Sequence, residues 1–381
     1  MKPSISMNDV LKLGIAGLGN AGRAVIRDLS AIPNVALAAV ADLRQETLAP
    51  YRSHPAVAAF DNVEALCRSN AVDAVWIATP NEFHAEHTVA AATNGKHVVC
   101  EKPMAVSLEE CDRMIEAAEA NGVRLLLHSK AGDPPIEKMR ELIGAGRLGR
   151  VIQIGSWNYK SWLDLPRLPE ELDTGKGGGV VFRQGAHQID TVRALGGGVV
   201  KSVRATVGRW HPRFDTEGNY TAFLEFADGT PAMLVFNGYG RFDMAEITWG
   251  IGESGFARAE SSPAGTPSSP ANRMDSAARP RDGVRRQPFF GLTIVSLENG
   301  DIRQSPDGLY VYTEKKREEI PCPPFLDRAG ELKRLYEAVV QNRPVFADGR
   351  WGKATLEVAL AILQSSHEKR EIELKHQGVS K

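Results

Sequence analysis

Six residues near the start of the chain leave little choice of fold. Gly17-Leu18-Gly19-Asn20-Ala21-Gly22 directly follows the apolar run Leu11–Ala16 and opens a segment of helical character, Ala21–Ser30. In such a strand–turn–helix unit each glycine has a job. Gly17 permits the tight turn, Gly19 lets the backbone approach a pyrophosphate, and Gly22 lets the helix pack against the strand. The helix N-terminus then offers unpaired N–H groups and a partial positive charge to phosphate. An acid belongs about twenty residues further on, at the end of the second strand. Asp42 stands there, after the apolar run Val35–Ala41. The alternative is a glycine-rich turn in an unrelated α/β protein, which would not require that acid. Asp42 suits both hydroxyls of an adenosine ribose and favours NAD, while Arg44, just past the strand, can pair with a 2′-phosphate and leaves NADP open.

A second motif reinforces the first. Glu101-Lys102-Pro103 follows the apolar run His97–Cys100. It places one lysine at the carboxyl end of a buried strand, where doubly wound sheets hold their ligands. Together the motifs point to a redox enzyme with a nicotinamide cofactor.

The rest of the first 130 residues agrees. Ala74–Ala78 and Arg124–His128 read as strands, and Val63–Ser69 and Glu82–Asn94 as helices, with Gly95 as a C-cap. Ser107 opens another helix, with Glu110 at capping-box spacing. Strand–helix alternation implies a parallel sheet. We therefore expect a Rossmann domain over 1–130 and a second domain over 131–381. In that second part Val151–Tyr159, Lys201–Arg209, Tyr220–Phe226, Pro231–Asn237 and Met244–Trp249 alternate with period two, and Asp228-Gly229 fits a hairpin turn. Pro135–Gly144, Gly185–Leu195, Leu332–Gln341 and Ala354–Glu368 read as helices. The expected architecture is an open, largely antiparallel sheet with helices on one face. Its other face needs cover, which predicts a homo-oligomer, a dimer or tetramer. Residues 260–288, rich in Ser, Pro, Ala and Arg, read as a mobile surface insertion; Arg279, Arg281, Arg285 and Arg286 are then a solvated cluster.

Bulk properties narrow the class. With 381 residues, 43% hydrophobic and 24% charged, and a net charge of −1, nothing draws the chain to nucleic acid or an anionic membrane. No apolar run reaches a membrane-spanning length of about 20 residues. No signal peptide is expected. Cys67, Cys100, Cys111 and Cys322 lack metal-ligand spacing and read as reduced thiols, so no metal is expected and a cytoplasmic location is.

The Glu101-Lys102-Pro103 motif, the upstream run Ala78-Thr79-Pro80-Asn81 and His84 resemble the glucose–fructose oxidoreductase/inositol dehydrogenase/MocA (Gfo/Idh/MocA) family. Gly177-Gly178-Gly179-Val180-Val181-Phe182-Arg183-Gln184-Gly185-Ala186-His187 resembles its second signature. The resemblance implies reversible oxidation of an alcohol by NAD(P) between the two domains. It implies that Lys102 contacts the reacting oxygen and that Ala78, Thr79, Pro80, Asn81, His84 and Glu101 lie along the cofactor. The usual aspartate four residues before the histidine is Arg183 here. Arginine presents a rigid fork of donors suited to a carboxylate, so a substrate bearing one is expected. Arg183–Gln188, Phe236–Gly240, Thr248–Glu253 and Asp301–Gly308 further resemble the phthalate 4,5-cis-dihydrodiol dehydrogenase branch, which implies a carboxylated aromatic cis-dihydrodiol oxidised to a catechol.

His187 is the candidate general base, because a neutral imidazole takes a proton efficiently near pH 7; Lys102 would stabilise the alkoxide or share that role. Arg183, Gln184, Trp157, Asn158 and Tyr159 are candidates to line the substrate pocket, and Asp190 either orients His187 or caps local structure. Against these stand plainer roles: Lys102 as an edge charge, Trp157 and Tyr159 as core or interface aromatics, His84 as packing behind the cofactor, Arg183 as one half of an ordinary ion pair. Other readings at the level of the whole chain are a sugar or inositol dehydrogenase, an NAD-dependent glycosidase, and a non-catalytic nucleotide sensor.

Overall fold

In a computed structural model, residues 10–257 and 283–378 are described. The first sheet is parallel and six-stranded: β1 (Leu11–Ala16), β2 (Val35–Ala41), β3 (Ala58–Phe60), β4 (Ala74–Ile77), β5 (His97–Cys100) and β6 (Leu125–Leu127), in the order β3-β2-β1-β4-β5-β6. The order reverses beside β1, which creates the crevice where such sheets bind ligands. Its strands are nearly continuous apolar runs because helices cover both faces. Those helices are α1 (Asn20–Asp28), α2 (Gln45–Arg52), α3 (Val63–Arg68), α4 (His84–Thr93) and α5 (Leu108–Ala120). Ser107 caps α5 by accepting the Glu110 N–H at 3.2 Å; the Glu110 carboxylate reaches back to the Val106 N–H rather than to that of Ser107.

The second sheet has nine strands: β7 (Val151–Tyr159), β8 (Val200–Gly208), β9 (Asn219–Phe226), β10 (Pro231–Asn237), β11 (Leu292–Leu297), β12 (Gly300–Gln304), β13 (Gly308–Tyr312), β14 (Arg317–Pro321) and β15 (Ile372–Glu373). Their order is β14-β13-β12-β11-β7-β10-β9-β8-β15, antiparallel except for the β7–β10 pair. Asp228-Gly229 turns β9 into β10, with Gly229 at φ +85°. Helices α6 (Pro134–Gly144), α7 (Ala186–Leu195) and α9 (Gly349–Glu368) lie on one face, whereas α8 (Arg328–Val340) returns to the first sheet. There Leu332, Leu335 and Tyr336 share a core with Leu11, Leu13 and Trp76. The other face of the second sheet shows Phe223 to solvent between the inward Ala222 and Leu224.

Three expectations change. Met244–Trp249 is not a strand: Asp243 caps the Ala245 N–H at 2.9 Å and starts a 3-10 turn, Met244–Ile247, after which Trp249 takes a left-handed φ of 54°. The four strands β11–β14 and the short β3 and β15 were not foreseen. Much of the surface insertion, with Arg279 and Arg281, lies outside the described residues. From residue 285 the chain is docked: Gln287 is buried and donates to the Pro323 carbonyl, Arg285 pairs with Asp327, and Arg286 pairs with Asp307.

Candidate active site

The glycine turn is built as a cradle. Gly17 sits at φ +92°, and a Cβ there would lie 2.6 Å from the Ala78 carbonyl oxygen. A Cβ on Gly22 would meet the Gly17 carbonyl oxygen at 2.0 Å, whereas one on Gly19 would meet nothing within 4 Å. The side left open is the one a pyrophosphate needs, and the buried Asn20 Oδ1 beside it has no hydrogen-bond partner. Ala21 continues the first turn of α1. These residues fit a dinucleotide. At the far end, Asp42 accepts the Leu18 N–H at 2.8 Å and is gripped by both sides of the Arg44 fork, at 2.9 and 2.8 Å. Burial pushes the Asp42 carboxyl up, but hydrogen bonds from the Arg44 side chain and backbone and from Leu18 outweigh it and hold the group below its usual range.

The strand ends β4 and β5 carry the next layer. Thr79 bonds to His87 at 2.9 Å, Pro80 leads into a 3-10 turn, and Asn81 donates to the Gly177 carbonyl at 2.7 Å, tying the two sequence signatures together. The ring nitrogens of His84 face the carbonyls of Pro103 and Thr79 at 2.8 and 3.0 Å, so this histidine braces the strand ends. Glu101 is buried and paired with Arg328 at 3.2 Å. Burial drives the Cys100 thiol far up, which leaves it an inert strand residue.

Lys102 reaches across to the second signature, where its Nζ donates to the Arg183 carbonyl at 2.8 Å. Burial, and next the Arg183 guanidinium, push Lys102 down to about 7 against the pull of Glu101 and Glu253. Arg183 lies in a π-turn, Val181–Gly185, that opens into α7. Such turns re-aim side chains at functional sites. Its guanidinium donates to the buried Glu171 at 2.9 Å, and Arg167 lies 3.6 Å from the same carboxylate. Gln184 donates to the Arg183 carbonyl and accepts from Lys160 at 3.5 Å.

His187 is buried on α7 with its ring 5.0 Å from that of Phe290 and 6.1 Å from that of His128. Burial, then Lys102, Lys130, His128 and Arg328, hold His187 well below its ordinary value. His128, which touches Arg328, is held down in the same way. Lys130 is paired with Asp133 at 3.3 Å, and burial pushes that carboxyl up to about 6. Lys102, Lys130 and Arg328 thus bear on His187, and Lys160 stands over the Phe290 ring that packs on it.

Not every residue expected here faces it. On β7, Ser156 bonds to Gln188 of α7, so alternation sends Asn158 toward the site and Trp157 and Tyr159 to the opposite face. Trp157 lies back over Gly155, and Tyr159 packs on Phe242. Asp190 accepts from the Ser129 hydroxyl at 2.6 Å, the Ala131 N–H at 3.1 Å and the Trp351 indole, and so joins α7 to the segment after β6 and to α9. Lys160, Glu253, Phe290, His128 and Arg328 were not anticipated. His128 carried a signal in its place at a strand's carboxyl end, and Glu253 in closing the Thr248–Glu253 stretch.

The fold and site define an NAD-dependent dehydrogenase acting on CH–OH groups. The chain belongs to the Gfo/Idh/MocA family: the profile described as "Oxidoreductase family, NAD-binding Rossmann fold" matches residues 11–129, and that of the GFO/IDH/MocA C-terminal domain matches 136–253. It is similar to the 1-carboxy-3-chloro-3,4-dihydroxycyclohexa-1,5-diene dehydrogenase of Comamonas testosteroni, 34% identical over 93% of this chain and 94% of that one. It is 25% identical to myo-inositol 2-dehydrogenase of Thermotoga maritima over 96% and 98% of the two chains. Among solved structures, a dehydrogenase from Bordetella bronchiseptica RB50 superposes with a TM-score of 0.87 at 34% identity, covering 96% of this chain and 100% of that one. Among the described residues no helix is long and apolar enough to cross a membrane.

Proposed function

We propose that the enzyme oxidises a carboxylated cis-dihydrodiol to a catechol. The observation that carries this reading is the positive charge gathered on His187 by Lys130 and Arg328, with Lys160 over the flat Phe290 ring that packs on the same histidine. Such a pocket suits a planar anion better than a neutral polyol. The Comamonas relative, whose name describes a carboxylated dihydroxycyclohexadiene as substrate, supports the same class.

The Gly17–Gly22 turn and Asp42 would hold NAD, which when bound would supply the acceptor for the hydride of the carbinol carbon. Lys102 takes the hydroxyl proton, because an amine pushed down to about 7 is about half uncharged at pH 7, whereas an ordinary lysine is almost wholly protonated there. His187, held neutral by its surroundings, orients the same oxygen through one ring nitrogen. Glu101 and Arg328, paired with each other, act on Lys102 in opposite directions, the carboxylate favouring its charged form and the guanidinium its uncharged one. The ketone so formed tautomerises to the aromatic catechol, moving one ring proton to oxygen, and aromatisation draws the reaction forward. Residues 1–130 would hold the cofactor and 131–381 the substrate. Phe223 and its neighbours on the uncovered sheet face would join copies of the chain into a cytoplasmic dimer or tetramer.

The test is NADH formation with NAD and a panel of cis-dihydrodiols, with and without ring carboxylates, beside inositol and simple sugars. Turnover concentrated on the carboxylated diols is the expected result. Turnover confined to inositol or sugars would overturn it in favour of a polyol substrate.

A further inference from the structure

Two cations compete for the role of carboxylate receptor, and they differ in what they already hold. Arg183 is bound to Glu171, whose side chain is 5% exposed. Glu171 also accepts the Leu168 N–H at 2.8 Å, and its second cation, Arg167, is stacked on Trp162. Pulling Arg183 away would leave part of a buried charge uncompensated, which is costly. Lys160 is bound to Glu253 at 3.2 Å, and that carboxylate is 42% exposed. The other carboxylates paired with cations of this pocket, Glu101, Asp133 and Asp327, are only 7 to 15% exposed. Of these carboxylates Glu253 is the most open to water, and so the one whose charge solvent can best take up when its cation finds another anion.

The geometry around Lys160 suits the exchange. Its own side chain is only 12% exposed, so an anion arriving there meets a poorly hydrated ammonium. The ammonium lies 5.9 Å above the Phe290 ring and 3.5 Å from the Gln184 amide oxygen, and Phe290 in turn touches His187. A flat ring against Phe290, with its hydroxyl at Lys102 and His187, therefore directs a substituent toward Lys160. A small cleft lined by Asn158, Lys160, Thr248, Glu253 and Phe290 opens beside the pair. Glu253 sits at the tip of a tight turn closed by the Gly255 N–H on the Gly252 carbonyl, where a side chain can swing without disturbing a strand.

We propose that Lys160, rather than Arg183, receives the substrate carboxylate, and that Glu253 occupies that cation until the substrate displaces it. Arg183 then acts at a distance, as a fixed positive charge whose carbonyl holds Lys102. This assignment rests on the carboxylated-substrate reading above.

The experiment measures binding of 3,4-dihydroxybenzoate and of catechol to the NADH-loaded enzyme by calorimetry. The two probes differ only in the carboxylate, and being aromatic they are not reduced back. The wild type should bind the acid at least about tenfold more tightly, the scale of one charge-assisted contact. Lys160→Met should bring that ratio close to one, Lys160→Arg should retain part of it, and Arg183→Lys should keep it. Glu253→Gln should widen it severalfold by removing the competitor. If Lys160→Met keeps the ratio while Arg183→Lys loses it, or if Glu253→Gln narrows it, the assignment is wrong and the carboxylated-substrate reading stands. If the wild type itself shows no preference for the acid, that reading falls, and this one with it. NADH affinity and the unfolding midpoint, measured for each variant, separate lost recognition from lost folding.

Discussion

The assignment of Lys102 as proton acceptor makes a quantitative demand on the pH profile. A lysine titrates ordinarily near 10.4; burial and Arg183 bring this one to about 7. Because the uncharged amine is the active form, kcat/KM should rise with pH and level off above that value. From pH 7 to pH 9 the increase should be only about twofold, whereas an ordinary lysine would give about a hundredfold. Below pH 6 the rate should fall about tenfold per unit. Initial rates of NADH formation on a carboxylated cis-dihydrodiol, at constant ionic strength, read this directly. If His187 were the acceptor, its titration, held well below the ordinary 6.5, would give no limb centred near 7. Asp133, at about 6, is another group changing charge in this range, and Asp133→Asn identifies its share. Lys102→Arg should abolish the limb and cut kcat by about a hundredfold or more with NADH binding retained. Arg183→Gln, removing the neighbouring cation, should move the limb to higher pH. A flat profile, or a rate that survives Lys102→Arg, would refute the assignment.

The geometry leads to three further expected outcomes. Arg44→Ala releases Asp42 from its fork and should tighten NADH binding by about threefold to tenfold while weakening NADPH, as read by fluorescence titration; equal affinities in variant and wild type would remove Arg44 from cofactor choice. Gly17→Ala combines a φ of +92° with a contact to the Ala78 carbonyl at 2.6 Å, so NADH affinity should drop at least about tenfold, with some loss of stability. Asp190→Ala strips the partner from Ser129, Ala131 and Trp351 and should lower unfolding free energy by about 3–5 kcal/mol in denaturant titration, with the NADH site of the folded fraction unaffected.

The first sheet was legible because its signals are local. An apolar run ending in glycines at fixed spacing marks a strand, the turn after it and the helix beyond, and Leu13, Ile15 and Val40 are indeed fully buried. The second sheet was legible only where burial imposes alternation. β14 is Arg317-Glu318-Glu319-Ile320-Pro321, a mostly exposed edge where Ile320 is the one large apolar side chain and shows no alternation, and β12 and β13 are five residues each. The site divides in the same way. Lys102, Arg183 and His187 sit inside motifs. Lys160, Glu253, Phe290 and Arg328 come from four unrelated stretches, and only the folded chain makes them neighbours. Trp157 and Tyr159 show the converse: chemistry suited to a pocket, on the wrong side of a strand whose facing residue, Ser156, is claimed by Gln188.

The charges of the pocket also bear on why a carboxylate would affect turnover and not binding alone. The burial and the positive neighbours that favour the uncharged forms of Lys102 and His187 oppose the step in which Lys102 gains a proton. An anionic substrate arriving at Lys160 and releasing Glu253 to the solvent leaves the count of negative groups near Lys102 unchanged, but exchanges a hydrated carboxylate for one held inside the site. Held charges act more strongly than hydrated ones. Lys102 then becomes a better base at the moment the hydroxyl lies against it. A neutral diol gains no such help and leaves Glu253 in place. The missing carboxylate should therefore cost the neutral diol in kcat as well as in KM, which is the mark of binding energy used in the transition state.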